Sequence, residues 1–433
     1  MSTAAEKHVV IVGGGFAGVA CARELSRHRG VHTTLIDRHN YQQFQPLLYQ
    51  VATSQLPAAD VGLALRAQFA GESSVDVKFG DVTSVDLATH TVTTSDGATY
   101  SGDALVLAAG GAPRFFGTPG AAEHAFPLYS LRQAVILNSQ VIAVFEAADR
   151  RPSLIDEGYL TFVIVGGGAT GTETAGALAD MVRGTLTVEY QDLDVARARV
   201  ILVDHGDALL APFSARAHRY AAQVLRRKGV ELRLGCGVKE VAADRVELTD
   251  GTVIPTRCVI WAGGIKAAPL AALAGLKEAA GGRVDVQADL RPAAGSLVYA
   301  IGDIANIPDG RGGTHPQLGS VAQQSGTWAA RNILAELEGR PTTPFRYRDK
   351  GIMAMIGRGA AVAEVGPKRW QVNGFPAFIA WLGVHALLMA SWRSRVEAVI
   401  SWTWDYLTRS RGPQLLDRPS ESPVDGDGRL VGP

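Results

Sequence analysis

The chain has 433 residues, with 42 basic and 42 acidic side chains and a formal net charge of zero. At roughly 100–200 residues per domain this is too long for one typical domain, and the charge balance argues against a nucleic-acid surface as its main business. The three cysteines, Cys21, Cys236 and Cys258, form no CxxC pair and no His/Cys cluster with metal-ligand spacing, so neither a disulfide framework nor a metal site is expected. The N-terminus enters an apolar run without a signal-type segment, and the folded body is expected in the cytoplasm.

His8 to Val12 is a β-branched run followed by Gly13-Gly-Gly15-Phe-Ala-Gly18 and a helix-forming stretch. Strand, glycine turn and helix are the context in which GxGxxG means dinucleotide binding. Gly13 makes the turn, Gly15 admits a pyrophosphate, and Gly18 permits close helix–strand packing. A second strand, Thr33 to Ile36, ends in Asp37, placed to accept both ribose hydroxyl protons. Leu105 to Gly110 is a further buried strand closing this domain.

The pattern recurs. Leu160 to Val165 is followed by Gly166-Gly-Gly168-Ala-Thr-Gly171-Thr-Glu173, and Val200 to Val203 ends in Asp204 after an insertion-like stretch, 181–199. Asp204 followed by His205, with no arginine there, favours a free 2′-hydroxyl and so NADH over NADPH. Two such sites in one chain suggest a bound flavin dinucleotide and an exchanging nicotinamide dinucleotide. Leu297 to Ile301 leads into Gly302-Asp303, a strand end suited to the ribityl chain or a phosphate-bridging water of FAD. The expected architecture is α/β. It has two Rossmann-like dinucleotide-binding domains, the NAD domain inserted in the FAD domain, and a C-terminal membrane-associating helical segment. The expected boundaries are 1–120 and 291–345 for FAD and 121–290 (core 160–264) for NADH. An anchoring region follows at 346–412 and a disordered tail at 413–433.

Trp370 to Trp392 contains no Asp, Glu, Lys or Arg. A helix from Ala377 to Trp392 would span about 24 Å, short of the ~30 Å hydrocarbon core, so it is not expected to cross a bilayer. Phe378, Trp381, Leu382, His385, Leu388, Met389 and Trp392 share one face, with Ala380, Gly383 and Ala390 opposite. In the next segment Val396, Val399, Ile400, Thr403 and Leu407 oppose Glu397, Ser401, Asp405 and Thr408. The aromatic face is expected at a membrane surface, flanked by Lys368, Arg369, Arg393, Arg395, Arg409 and Arg411 as headgroup partners. A pair of core or dimer-interface helices is the alternative.

Phe44-Gln-Pro-Leu-Leu-Tyr-Gln-Val-Ala52, Trp261-Ala-Gly-Gly-Ile-Lys-Ala267, Met353-Ala-Met-Ile-Gly-Arg358 and the run through Tyr406-Leu407 resemble type II NADH dehydrogenases, single-subunit NADH:quinone oxidoreductases that pump no protons. The glycine motifs belong to the wider two-dinucleotide flavoprotein superfamily. The resemblance covers about residues 7–416 and implies hydride transfer from NADH to FAD, then reduction of a membrane quinone, menaquinone or ubiquinone. It places Phe44 to Ala52 beside the flavin and Glu173 near isoalloxazine and nicotinamide, where Glu173 tunes flavin protonation and holds water or quinone oxygen. A first-turn acid complementing the helix dipole is the other reading of Glu173. The family's Ala-Gln-x-x-x-Gln pattern aligns with Gly319 to Gln324. Gln324 matches and is assigned to the quinone carbonyl; Gly319 and Ser320 depart from the pattern.

The expected FAD positions are Gly13, Gly15, Phe16, Ala17, Gly18, Asp37, Asn40, Pro46, Leu47, Val82, Ala109, Gly110, Asp303, Gly319 and Ser320. Those for NADH are Gly166, Gly168, Gly171, Glu173, Asp204 and Gly263. Gln323, Gln324 and His385 are placed on the quinone side, with exposed helix glutamines and a packing histidine as the plainer readings. Glu173 and Gln324 are the catalytic candidates. The expected partners are NADH, the quinone and a cytoplasmic-face membrane surface, with monomer and homodimer both open. A soluble FAD/NADH sensor, or a reductase of another acceptor, is the alternative function.

Overall fold

Runs of buried β-branched residues build two parallel sheets, each belonging to its own compact unit. The computed structural model describes residues 6–293, 296–366, 368–389, 391–408 and 411. One unit comprises Met1–Gln43, Leu63–Ala112 and Ile265–Arg348; the other comprises Phe44–Gly62, Pro113–Gly264 and Asp349–Pro433. The Phe44–Gly62 segment, which the sequence boundaries put in the FAD domain, therefore clusters with the second unit. The expected tail at 413–433 lies outside the described residues.

In the first unit the strand order is Val298–Ala300, Ala104–Leu107, Lys7–Val12, Val31–Asp37, Val75–Phe79. Val9, Val10 and Ile11 are fully buried, as expected of a central parallel strand covered on both faces. Val12 pairs with Ile36 and with Leu107, and Leu107 pairs with Ala300. That register brings Gly13, Asp37, the Ala109-Gly110 turn and Gly302-Asp303 to one carboxyl edge. The Phe16–Leu25 helix packs on the Gly319–Leu337 helix. A side chain at Gly326 would stand 2.1 Å from the Ala17 carbonyl oxygen, so the two helices meet backbone to backbone.

The second unit repeats the plan with strand order Ala125–Pro127, Cys258–Trp261, Thr161–Val165, Arg199–Asp204, Val230–Leu234. Val165 pairs with Val203 and Trp261, so Gly166, Asp204 and Gly263 follow neighbouring strand ends. The insertion-like stretch continues the motif helix through a π-turn, Val182–Leu186, before the chain returns to the sheet. An antiparallel sheet of Gly351–Gly357, Ala360–Val365 and Trp370–Gly374 follows. Gly374, at φ +77°, turns the chain into a Phe375–Leu388 helix with Pro376 in its first turn, and a Trp392–Thr408 helix comes next. The first of these starts two residues earlier and ends four earlier than the periodicity predicts.

Candidate active site

The two glycine turns are built alike. Gly13 has φ +109°, and a Cβ there would lie 2.3 Å from the Ala108 carbonyl oxygen; a Cβ at Gly18 would lie 1.8 Å from the Gly13 oxygen. Gly166 and Gly171 repeat both constraints, at 2.4 Å from Ala262 and 1.8 Å from Gly166. Gly15 and Gly168 differ. Their backbone conformations suit any residue, and a Cβ at either would meet nothing within 4 Å. No contact among the described residues requires glycine at these two positions. Both stand at the start of a helix with no side-chain cap and no first-turn acid. The Leu131–Arg150 helix, by contrast, is closed by its own capping box between Ser130 and Gln133. An open space over an uncapped helix start accommodates a pyrophosphate, so the residues present fit one dinucleotide in each unit.

The two strand-end acids hold these turns. Asp37 accepts from the Gly14 N–H at 2.5 Å and the His39 N–H at 2.7 Å. Asp204 accepts from the Gly167 N–H at 2.5 Å and the Gly206 N–H at 2.6 Å. Each carboxylate fixes the glycine loop against the next strand, a role the ribose reading did not include. His205 beside Asp204 is exposed, so the side chain after the acid is an imidazole and not a guanidinium.

Of the other positions expected for flavin, most lie in the first unit and Pro46 and Leu47 in the second. In the first, the Asn40 carbonyl accepts from the Leu65 N–H, half-buried Val82 begins a mostly exposed strand, and the Asp303 carbonyl accepts from Gln317. Gly319 lies against the Phe16 ring, and Ser320 hydrogen-bonds Tyr347 at 2.9 Å. Gln323 is exposed. The Gln324 amide clasps the Arg348 backbone, accepting from its N–H at 2.9 Å and donating to its carbonyl at 3.1 Å. One Nε2–H of Gln324 is left for another acceptor. Pro46 and Leu47 form a short 3₁₀ turn in the second unit.

Glu173 is the centre of a buried cluster in that unit. It is the fifth residue of the Ala169–Met181 helix, beyond its first turn, and accepts from the Met355 N–H at 3.0 Å. The dipole-complementing reading therefore does not describe it. Burial pushes its carboxyl up to about 8; the Met355 N–H and the nearby Trp381 indole pull more weakly the other way. The Trp381 indole nitrogen is buried and outside hydrogen-bonding geometry with any described acceptor. Tyr49 packs edge-on to Trp381 at 6.2 Å, and its hydroxyl accepts from Gln50 at 3.0 Å. His385 stacks on Trp381 and meets Phe44 edge-on. A carbonyl only accepts, so His385 Nδ1 donates to the Trp381 oxygen at 2.8 Å, leaving Nε2 as an acceptor. Burial lowers the imidazole to about 4, so it is neutral near pH 7.

The C-terminal helices correct two expectations. Of the expected outer face, Phe378, Trp381, His385 and Met389 are buried, the first three against Tyr406, Tyr49 and Phe44, while Leu388 and Trp392 are exposed; Phe375, Ile379, Val384 and Leu387 are exposed beside them. The helix is apolar on all sides, so periodicity alone did not distinguish the two faces. In the second helix Val396, Val399, Ile400 and Leu407 are exposed as expected, joined by Trp392 and Trp404. The headgroup charges are fewer. Arg411 is buried; Arg393 pairs with Glu397 and Arg369 with Asp349; Arg409 lies outside the described residues. The sequence reading also missed the polar ties of this helix: Trp402 donates to Gln50 at 2.7 Å, and Asp405 accepts from Gln55 at 3.1 Å. The polar residues of 50–55 and the lone Asp405 between apolar neighbours were the available signal.

With two dinucleotide cradles and a buried carboxyl cluster, the molecule has the make-up of a flavin- and nicotinamide-dependent oxidoreductase. Residues 7–326 match the pyridine nucleotide-disulphide oxidoreductase family. The type II NADH:quinone oxidoreductase Ndh of Mycobacterium tuberculosis is 35% identical over 93% of this chain and 89% of its own length. NdhA of the same organism is 32% identical over 94% and 89%. The NDH2 structure from Plasmodium falciparum in complex with NADH superposes with a TM-score of 0.85 at 17% identity, covering 95% of this chain and 100% of that one. The chain thus belongs to the pyridine nucleotide-disulphide oxidoreductases and, within them, to the type II NADH:quinone oxidoreductases. The sulfide:quinone oxidoreductase of Aquifex aeolicus shares the fold, at TM-score 0.71 and 17% identity over 99% of this chain and 100% of that one. Here the three cysteines are free, and Cys21 and Cys258 are buried.

Proposed function

We propose that this chain catalyses electron transfer from NADH, by way of bound FAD, to a membrane quinone, without proton pumping. The observation that carries this is the pair of helix starts left open at Gly15 and Gly168, in a chain of this family. Bound FAD supplies the redox chemistry, taking a hydride and returning electrons. Reducing a quinone to its quinol takes two electrons and two protons. NADH supplies the electrons and one proton as hydride, and the second proton comes from solvent.

The protein's task is to hold and move protons in a site closed to bulk water. Glu173 is the group suited to that: neutral near pH 7, buried, and able to exchange its proton close to the working pH. Tyr49, whose oxygen already accepts from Gln50, keeps its own proton for a quinone oxygen. His385 acts as a neutral packing and acceptor group; its low proton affinity suits it poorly to donate at neutral pH. The remaining Nε2–H of Gln324 stays available for a quinone carbonyl. Asp37 serves FAD and Asp204 serves NADH through the glycine loops that they brace.

No helix among the described residues is long and apolar enough to cross a membrane. The exposed face of Phe375, Ile379, Leu387, Trp392, Ile400, Trp404 and Leu407 supports a surface-bound mode, in which the quinone is met at the lipid boundary. The experiment is direct. The purified holoprotein is mixed with NADH without oxygen, and flavin bleaching is followed. A soluble quinone is then added, with and without liposomes. Bleaching within seconds and re-oxidation by quinone are expected. Bleaching without re-oxidation would instead favour an NADH sensor or a reductase of another acceptor.

A further inference from the structure

The residue after the Trp392–Thr408 helix that the structure next describes is Arg411, a basic side chain almost fully buried. Its guanidinium donates through Nη1 to the Thr53 carbonyl at 2.6 Å and through Nη2 to the Ala177 carbonyl at 2.9 Å. Its Nε lies 3.9 Å from Asp405 Oδ1, and Asp405 in turn accepts from Gln55. The two carbonyls belong to different elements. Thr53 closes the Leu48–Ala52 helix, where its N–H and hydroxyl both donate to the Tyr49 carbonyl. Ala177 lies one turn beyond Glu173 in the Ala169–Met181 helix. The planar fork thus ties the element carrying Tyr49 to the element carrying Glu173, and both to the last helix.

We propose that Arg411 is a positioning residue for quinone reduction, fixing Tyr49 and Glu173 relative to each other through Thr53 and Ala177. A buried cation spent on two main-chain carbonyls adds little to stability after its desolvation, so specificity of arrangement is the better account of it. The polar side of the last helix reinforces the tie, since Trp402 donates to Gln50, the neighbour of Tyr49. The opposite side of that helix carries the exposed Val396, Ile400 and Leu407. One helix therefore joins the outer apolar face to the two groups assigned to the quinone. The glycine turn at Gly166 to Gly168 and Asp204 make none of the contacts of Arg411. NADH-side chemistry, which shares only Glu173 with this tie, should then change less than quinone reduction.

The proposal rests on the reading of Tyr49 and Glu173 as quinone-side groups, so E173Q is measured beside the Arg411 variants. R411M removes the fork, R411M/D405N also removes the carboxylate left unpaired, and R411K restores one bond. In holoprotein, both methionine variants should raise the KM for a short-chain benzoquinone about tenfold to a hundredfold. The rate of anaerobic flavin bleaching by NADH should change several-fold less than the quinone KM, and R411K should recover part of the loss. Hydrogen exchange should quicken at Gln55, Leu56 and residues 178–181 and stay unchanged in Thr161–Val165. Unchanged exchange and unchanged KM would overturn the proposal. So would a loss of quinone and NADH reactions in step with flavin content, which marks plain structural support. If E173Q alters quinone kinetics and R411M does not, only the role of Arg411 fails. If neither alters them, the quinone-side reading fails and the proposal with it.

Discussion

The indole of Trp381 stacks on the imidazole of His385 with centroids 3.8 Å apart and planes 20° from parallel, while the Trp381 carbonyl accepts the His385 Nδ1 proton. A histidine held this way in a buried site is kept neutral, and its cost appears in acid. Its value is lowered from 6.5 to about 4. Above pH 6.5 neither folded nor unfolded chain protonates it; between 6.5 and 4 only the unfolded chain does. The stability tied to neutral His385 is therefore present above 6.5 and lost as pH falls to 4, by on the order of 3 kcal/mol. H385Q should show a shallower decline of melting temperature between pH 7 and 5 than the wild type. Parallel declines would show that His385 is not the titrating group.

Glu173 gives the opposite slope. Its folded value, about 8, lies above the ordinary 4.5. The associated stability is fully present below pH 4.5 and is lost as pH rises through 8, because the unfolded carboxyl ionises first. E173Q, neutral at every pH, should melt alongside wild type near pH 5 and progressively above it toward pH 8. Quinone turnover in E173Q should lose its pH dependence in the 7–9 range. A melting difference that does not grow with pH would contradict the raised carboxyl.

The glycines separate ligand from fold. Gly18→Ala would drive its methyl to 1.8 Å from the Gly13 oxygen, and should destabilise the protein by several kcal/mol, about the upper range for a single substitution. Gly15→Ala meets nothing within 4 Å among the described residues. It should purify folded but with reduced flavin content, read from the absorbance ratio near 450 and 280 nm (about the usual flavin and protein bands). A fully yellow Gly15→Ala protein would place the pyrophosphate elsewhere.

Lipid attachment rests on the outer faces of the last two helices. Ile400 and Leu407 are 62% and 79% exposed, and a large side chain buried in lipid contributes about 2 kcal/mol. I400D/L407D should therefore lose liposome flotation while retaining NADH-dependent reduction of a soluble quinone. Because Arg393 and Arg369 are already paired, added salt should release the wild type only weakly. Unchanged flotation of the double variant would assign attachment to another surface.

Much of the cofactor chemistry is legible in the chain itself. Gly13 to Gly18 with Asp37, and Gly166 to Gly171 with Asp204, are each a strand, turn and helix. Their form is dictated by backbone sterics over a few residues, by one acid at the next strand end, and by β-branched runs that belong in a parallel sheet. The exposed stripe of the last helix is legible for a similar reason: its polar residues mark the opposite side.

Tertiary packing decided the rest. The Phe375–Leu388 helix is apolar all round, so only its packing against Phe44, Tyr49 and Tyr406 could select which face turns inward. Gln324 reads as a free helix amide until the Arg348 backbone is seen to occupy it. Arg411 reads as a headgroup cation until burial and two carbonyls, from residues 358 and 234 positions away, claim it. Local sequence determined the form of the two glycine turns proposed to hold nucleotides, because they are made of contiguous backbone. The buried surroundings of Glu173 are made of segments brought together from across the chain, and their burial raises its carboxyl. Only the folded chain could establish that.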